Sequence, residues 1–166
     1  MCGLRYWLTK TYSVPTKGKN VGTIKFYGAS EAYGEFSNFA AYPILLDGKV
    51  WPTSEHYFQA QKFEDPSCQI EIRKASSPME AARMGRDRKK KLRRNWESAK
   101  DNVMRKAVLA KFTQHRELGA LLLSTGHSLL VEHTENDSYW GDGGNGKGRN
   151  MLGQILMEVR EKLRDE

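Results

Sequence analysis

Glu55, Gln59 and Lys62 are spaced so that a helix would carry a carboxyl, an amide and an amine on one face. At about 100° per residue they fall within roughly 60° of one another. Phe58 borders that stripe on one side, and Phe63 with His56 on the other. Aromatic rings beside a carboxyl exclude water and raise its pKa, which suits a general acid. The same spacing also fits a surface stripe with an i,i+7 charge pair, and His56 by itself fits a hydrogen-bonded, half-buried residue.

A second concentration of chemistry runs from Glu132 to Asn150. It mixes glycines with Asp137, Asp142, His133, Trp140, Asn145 and Asn150, and a helical pattern starting at Met151 follows at once. A Gly-rich polar loop feeding a helix N-terminus is a common anion site, because free backbone N–H groups and the helix dipole converge there. The competing expectation is a solvent-exposed hairpin or Ω-loop. A third feature is the basic run 83–94, which carries +7, while residues 1–30 carry +5 and the rest of the chain −5. Such a run is a solvated face, a phosphate site or a nucleic-acid contact. Arg83 and Arg86, flanking Gly85 at a helix end, are better placed for a discrete anion than the triplet Lys89 to Lys91.

These residues need elements to hold them. Ile24 to Tyr27 predicts a strand, Gly28 to Asn38 a polar loop, and Pro43 to Trp51 a hairpin turning at Asp47-Gly48. Pro52-Thr53-Ser54 offers N-cap chemistry for a helix from Glu55 to Phe63. Short helices are expected over 67–75, 78–86 (capped by Ser77) and 117–124, and a long one over 95–114. Leu129 to Thr134 predicts a strand, and the helix from Met151 would bury Leu152, Ile155, Leu156, Val159 and Leu163.

The 166 residues favour one domain with a real core. No apolar run approaches the roughly 18–20 residues of a membrane span, and the N-terminal stretch lacks the long apolar region of a secretory signal. Cys2 and Cys68 make neither a disulfide framework nor a zinc site. A reduced, cytoplasmic setting is expected.

Taken together, the segments resemble the NADAR family, the YbiA-like N-glycosidases. The resemblance is carried by Gly34-Glu-Phe-Ser-Asn-Phe-Ala40, by Gly48-Lys-Val-Trp-Pro-Thr-Ser-Glu-His-Tyr-Phe-Gln-Ala-Gln-Lys-Phe63 and by Ala82-Arg-Met-Gly-Arg86. It continues through Leu130-Val-Glu-His-Thr-Glu-Asn-Asp137, Trp140-Gly-Asp-Gly143, Gly148, Asn150 and Leu152-Gly153. It implies a domain over 24–166, with 1–23 an irregular N-terminal extension, and a compact, helix-rich α+β fold with a small antiparallel sheet. The implied activity is hydrolysis of an N-glycosidic bond between ribose C1 and an exocyclic amino nitrogen. YbiA-type members imply phosphoribosylamino-pyrimidine intermediates of riboflavin biosynthesis as small-molecule substrates. Other members remove ADP-ribose from guanine in nucleic acid, which segment 83–94 would then contact. A non-catalytic nucleotide- or RNA-binding module would require departures at Glu55, Lys62, Trp140 or Asn150, and there are none.

By that resemblance Glu55 is the expected acid/base, and Lys62 orients the sugar or attacks C1. Asn38 and Asn150 would hold ribose hydroxyls, Trp140 would stack on the base, and Asp137 or Asp142 would read its amino groups. Arg83 or Arg86 would bind the 5-phosphate, with His56 and Gln59 completing the wall. Hydrolysis needs no cofactor, no metal-ligand spacing is present, and no membrane partner is expected.

Overall fold

The computed structural model describes residues 22–165. The expected extension over 1–23 lies outside the described residues except for Gly22 and Thr23, and Thr23 already opens a strand. The order is β1 (Thr23–Phe26), a 3-10 turn (Gly34–Phe36), β2 (Ile44–Leu46), β3 (Lys49–Trp51), α1 (Ser54–Ala60), α2 (Pro66–Arg73) and α3 (Pro78–Gly85). The long α4 (Trp96–Gln114), α5 (Arg116–Ser124), β4 (Leu129–Glu132) and α6 (Met151–Asp165) complete it. Among the described residues no helix is long and apolar enough to cross a membrane.

The helix starts follow local chemistry. The Thr53 hydroxyl accepts the His56 N–H and so caps α1. Asp65 and Ser77 cap α2 and α3, each with proline next, where its missing N–H costs nothing. Asp47 and Gly48 both have positive φ, 52° and 72°, as a tight hairpin turn requires. The hairpin β2–β3 is the antiparallel sheet expected. The structure adds a second pair: β1 runs parallel to β4, from Thr23 opposite Leu129 to Phe26 opposite Glu132. A parallel pair needs a crossover, and here it includes α1 to α5.

The 19-residue α4 is the central post. Met104, Val108 and Phe112 form an i,i+4 stripe into the larger core, with Phe26, Phe58, Leu130 and Ile155. Ala107 and Ala110 face a second core with Trp51, Tyr57, Phe63 and Ile72. Helix α1 touches both, through Phe58 on one side and Tyr57 and Ala60 on the other. Its orientation is therefore fixed from two directions.

A lysine is among the ionisable groups inside this scaffold. Lys111 is 1% exposed, and its Nζ donates to the Ser37 carbonyl at 2.9 Å. Burial pulls its pKa down to about 7, with Glu35 opposing. Between that value and the ordinary lysine range the unfolded chain binds the extra proton, so Lys111 makes stability rise with pH. Lys111→Met should thus melt higher than the parent at pH 6, by a margin that shrinks toward pH 9. A margin independent of pH in thermal melts would contradict this.

Candidate active site

The stripe on α1 becomes a buried cluster. Glu55 and Gln59 are each 7% exposed, and Gln59 Nε2 donates to Glu55 Oε1 at 2.6 Å. The Glu55 N–H donates to the Asn38 carbonyl at 3.2 Å. Burial raises the carboxyl's pKa; the Gln59 bond, Lys62 and Arg86 pull it back, and Asp137 pushes it up again. The helix ends at Ala60, two residues before Lys62, which lies in the following turn. Its Nζ still reaches the Gly85 carbonyl at 3.4 Å and sits 5.7 Å from the Phe58 ring centre and 5.9 Å from that of Trp96. Burial lowers the Lys62 pKa, with Glu55 opposing. Glu55 and Lys62 feel each other's charge, but their hydrogen-bond partners are Gln59 and Gly85.

Gly85 joins the two groups. A methyl there would overlap Gln59 Oε1 and crowd the Gln59 Cβ, while the Gly85 carbonyl receives the lysine. The absent side chain is what lets α3 close against α1 with the Gln59 amide between them. Gln59 Oε1 is buried without a hydrogen-bond partner, which leaves Nε2 as the working end of the amide. Arg86 and Arg83 differ sharply. Arg86 is close enough to act on the charges of both Glu55 and Lys62. The Arg83 side chain is 74% exposed, with Glu80 3.9 Å away on its own helix.

His56 turns away from the cluster. Nε2–H donates to the Ala75 carbonyl at 3.2 Å, so Nδ1 accepts the Thr53 hydroxyl at 2.8 Å. Burial lowers its pKa, and the neutral ring ties α1 to the α2–α3 connection. Asn38 gives its Nδ2 to Met104 Sδ at 3.2 Å as well as its carbonyl to Glu55. Trp140 is half-buried and meets Phe58 edge-on at 5.2 Å, so the loop's tryptophan closes against α1.

The rest of the Glu132–Asn150 segment is self-braced, not an open cradle. Asp137 Oδ1 accepts the Tyr139 and Trp140 N–H groups, both at 2.8 Å. Asp142 takes His133 Nδ1 at 2.8 Å and the Gly144 and Thr134 N–H groups at 2.9 and 3.2 Å. Burial alone would raise the Asp142 carboxyl, but these bonds together hold it below its ordinary value. The Met151 and Leu152 N–H groups go to the Tyr139 and Trp140 carbonyls. The first turn of α6 is thus capped by the loop itself, and the anion site expected there is not presented. Asn150 is spent likewise: Oδ1 accepts the Glu132 N–H at 2.9 Å and Nδ2 donates to the Leu130 carbonyl at 2.8 Å. Its amide extends β4 and is not turned out as a ribose clamp.

Sequence spacing missed Glu132. Its carboxyl is raised to about 8, by burial first and then by Asp137, Glu55 and Asp142. The available signal was its place at the C-terminal end of an apolar strand, two residues from Leu130 and so on the same inward face. Among the described residues no His/Cys/Asp/Glu group is arranged to hold a metal ion. The basic run passes beside the cluster, since the Arg93 N–H donates to the Lys62 carbonyl at 2.8 Å. A concavity of about 390 Å³ lined by Ser138, Tyr139, Lys147 and Arg149 contains neither Glu55 nor Lys62.

Comparison with known proteins supplies a context for this cluster. A family model described as the NADAR domain matches residues 25–164. N-glycosidase YbiA of Escherichia coli is 69% identical over 140 residues, covering 84% of this chain and 88% of that protein. A riboflavin biosynthesis protein of Vibrio vulnificus is 44% identical over 142 residues, covering 86% of this chain and 39% of the longer protein. The NMR structure of E. coli YbiA superposes with a TM-score of 0.83 at 66% identity, covering 89% of this chain and 88% of that one.

The Gly85 contact predicts a titration. Gly85→Ala should fold, because the overlapping atoms end a flexible side chain, but it should push the Gln59 amide off Glu55 and raise the Glu55 pKa. Gln59→Ala should do the same, and the double variant should add nothing further. Carbon-13 NMR of the Glu55 carboxyl reads this directly; additive shifts would show the two residues acting separately.

Proposed function

The chain belongs to the NADAR domain family, and we propose that it is an N-glycosidase hydrolysing the bond between ribose C1 and an exocyclic amino nitrogen. Its proposed substrates are phosphoribosylamino-pyrimidine intermediates of riboflavin biosynthesis, and its role the disposal of these reactive compounds in a cytoplasmic setting. The names of its relatives, an N-glycosidase and a riboflavin biosynthesis protein, support the reaction and the substrate class. The observation that carries the reading is the desolvated pair itself: a carboxyl made less acidic and held by the Gln59 amide, and an amine made less basic over the Phe58 and Trp96 rings.

A glycosylamine can open its sugar ring to an iminium at C1. In the proposed reaction Glu55 serves as acid/base. Lys62, whose pKa is lowered by burial, attacks C1 or orients the sugar. If it attacks, the nitrogen of the base departs with a proton and water then hydrolyses the lysine imine. Trp140 offers a flat face for the base, Asn38 a side-chain carbonyl for the ribose, and Arg86 a cation for the 5-phosphate. The exposed basic segment anchored on the Lys62 carbonyl favours one second reading, removal of ADP-ribose from guanine in nucleic acid with the phosphate backbone along 86–94.

Borohydride added during turnover should trap a covalent adduct on the parent protein and none on Lys62→Ala. A fully active Lys62→Ala protein without any trapped adduct would dismiss the imine. Glu55→Gln should lose about 10²–10⁴-fold in turnover while retaining its fold. Release of ribose 5-phosphate from the pyrimidine substrate, measured beside release of ADP-ribose from modified DNA, decides between the two substrates.

A further inference from the structure

We propose that Lys111 is a positioning residue of this site, the anchor of a short turn whose next carbonyl holds the Glu55 N–H. This role rests on the N-glycosidase reading above, in which the lysine itself touches no reacting atom.

The turn runs from Ser37 to Ala40. The Ala40 N–H donates to the Ser37 carbonyl at 3.2 Å, and the Phe39 N–H donates to the Ser37 hydroxyl at 3.3 Å. Helix α4 holds this turn at two points. Lys111 Nζ is a second donor to the Ser37 carbonyl, at 2.9 Å. Met104 Sδ accepts Asn38 Nδ2 at 3.2 Å. Met104 and Lys111 stand seven residues apart, two turns along one face of α4. The carbonyl that follows the anchored one is that of Asn38, and it accepts the Glu55 N–H at 3.2 Å.

Glu55 lies in the first turn of α1, where backbone N–H groups have no acceptor within the helix. The Asn38 carbonyl supplies that acceptor and so ties the start of α1 to α4. Gln59 holds the other end of the same residue, its carboxyl. Glu55 is therefore fixed at its backbone by way of α4 and at its side chain by its own helix. Neither tie alone sets the direction of the carboxyl.

A buried cation is a costly anchor for a turn. Lys111 is 1% exposed, with its ammonium 5.4 Å from the Tyr42 ring centre and 5.6 Å from that of Phe112. An apolar side chain of similar size would serve the packing at least as well. The Ser37 carbonyl would still have the Ala40 N–H, so the lysine is not needed to satisfy it. What Lys111 alone adds is the tie between α4 and the turn that carries Glu55.

The test is Lys111→Met, which fills the same slot without a donor. At pH 6 this variant should melt above the parent, so a loss of activity there is not a loss of fold. Its kcat for release of ribose 5-phosphate from the pyrimidine substrate should fall about 10–100-fold, with KM moving less than about threefold. Amide hydrogen exchange read by NMR should find the Glu55 N–H less protected, and the Gln61 N–H, bonded to Tyr57 within α1, unchanged. Met104→Leu conserves volume and releases the other point of the turn, so it should give a smaller loss of the same kind. Lys106→Met removes a different lysine of α4, the exposed partner of Asp47, and should leave kcat as it is. Full kcat in Lys111→Met, a loss carried by KM, an equal loss in Lys106→Met, or equal deprotection of Glu55 and Gln61 would overturn the role. A parent that releases no ribose 5-phosphate would overturn the N-glycosidase reading instead, and exchange at Glu55 would still decide whether Lys111 holds it.

Discussion

The burial of the Glu55 carboxyl is the constraint on which the rest of the site depends. Removing a carboxylate from water costs several kcal/mol unless bonds and nearby charge replace the water. Here the replacement is small: one amide hydrogen from Gln59 and the fields of Lys62 and Arg86. The amide must therefore be held still, and Gly85 permits it by leaving room for Gln59 between α1 and α3. The same glycine's carbonyl receives Lys62. One residue without a side chain thus sets the positions of both groups to which chemistry is assigned.

The scaffold keeps these parts in place by making each do two things. Helix α4 packs two cores, so α1 cannot rotate without disturbing both. Lys111 on α4 holds the Ser37 carbonyl, and the next residue, Asn38, holds the N–H of Glu55. The Gly-rich segment ends β4, caps α6 and brings Trp140 onto Phe58. Because its N–H groups are largely taken up internally, it behaves as a fixed wall. A preorganised wall spends little free energy on ordering when a ligand arrives.

Elements governed by neighbours in sequence were legible without the structure. Thr53 and Ser77 announced their helices, Asp47-Gly48 its turn, and the 3.6 period of residues 96–114 the long helix. The grouping of Glu55, Gln59 and Lys62 was legible as well, although the helix stops short of Lys62 and packing completes what the period began. What escaped depends on contacts distant in sequence. The parallel β1–β4 pairing joins Thr23 to Leu129, and nothing local marks it. Asn150 carried the chemistry of a sugar ligand, but its amide is committed to Glu132 and Leu130. His56 looked like part of the wall, yet its ring is tied to Ala75, nineteen residues away. Glu132 went unnoticed because its raised pKa comes first from burial and then from Asp137, Glu55 and Asp142, all of which only the fold supplies.

Charge balance explains why the cluster tolerates so many ionisable groups. Glu55, Glu132 and Asp137 share a region with Lys62 and Arg86. Fully ionised, three carboxylates would outnumber two cations there. Retaining a proton on Glu132 removes that excess, because burial and its acidic neighbours all act in the same direction there. At Glu55 burial also raises the carboxyl, and Gln59 and the two cations oppose it. The difference follows from where the partners stand: Gln59 on α1, with Lys62 and Arg86 just beyond the ends of α1 and α3, for Glu55, and Asp137, Glu55 and Asp142 for Glu132. The fold therefore gives two chemically similar carboxyls different partners.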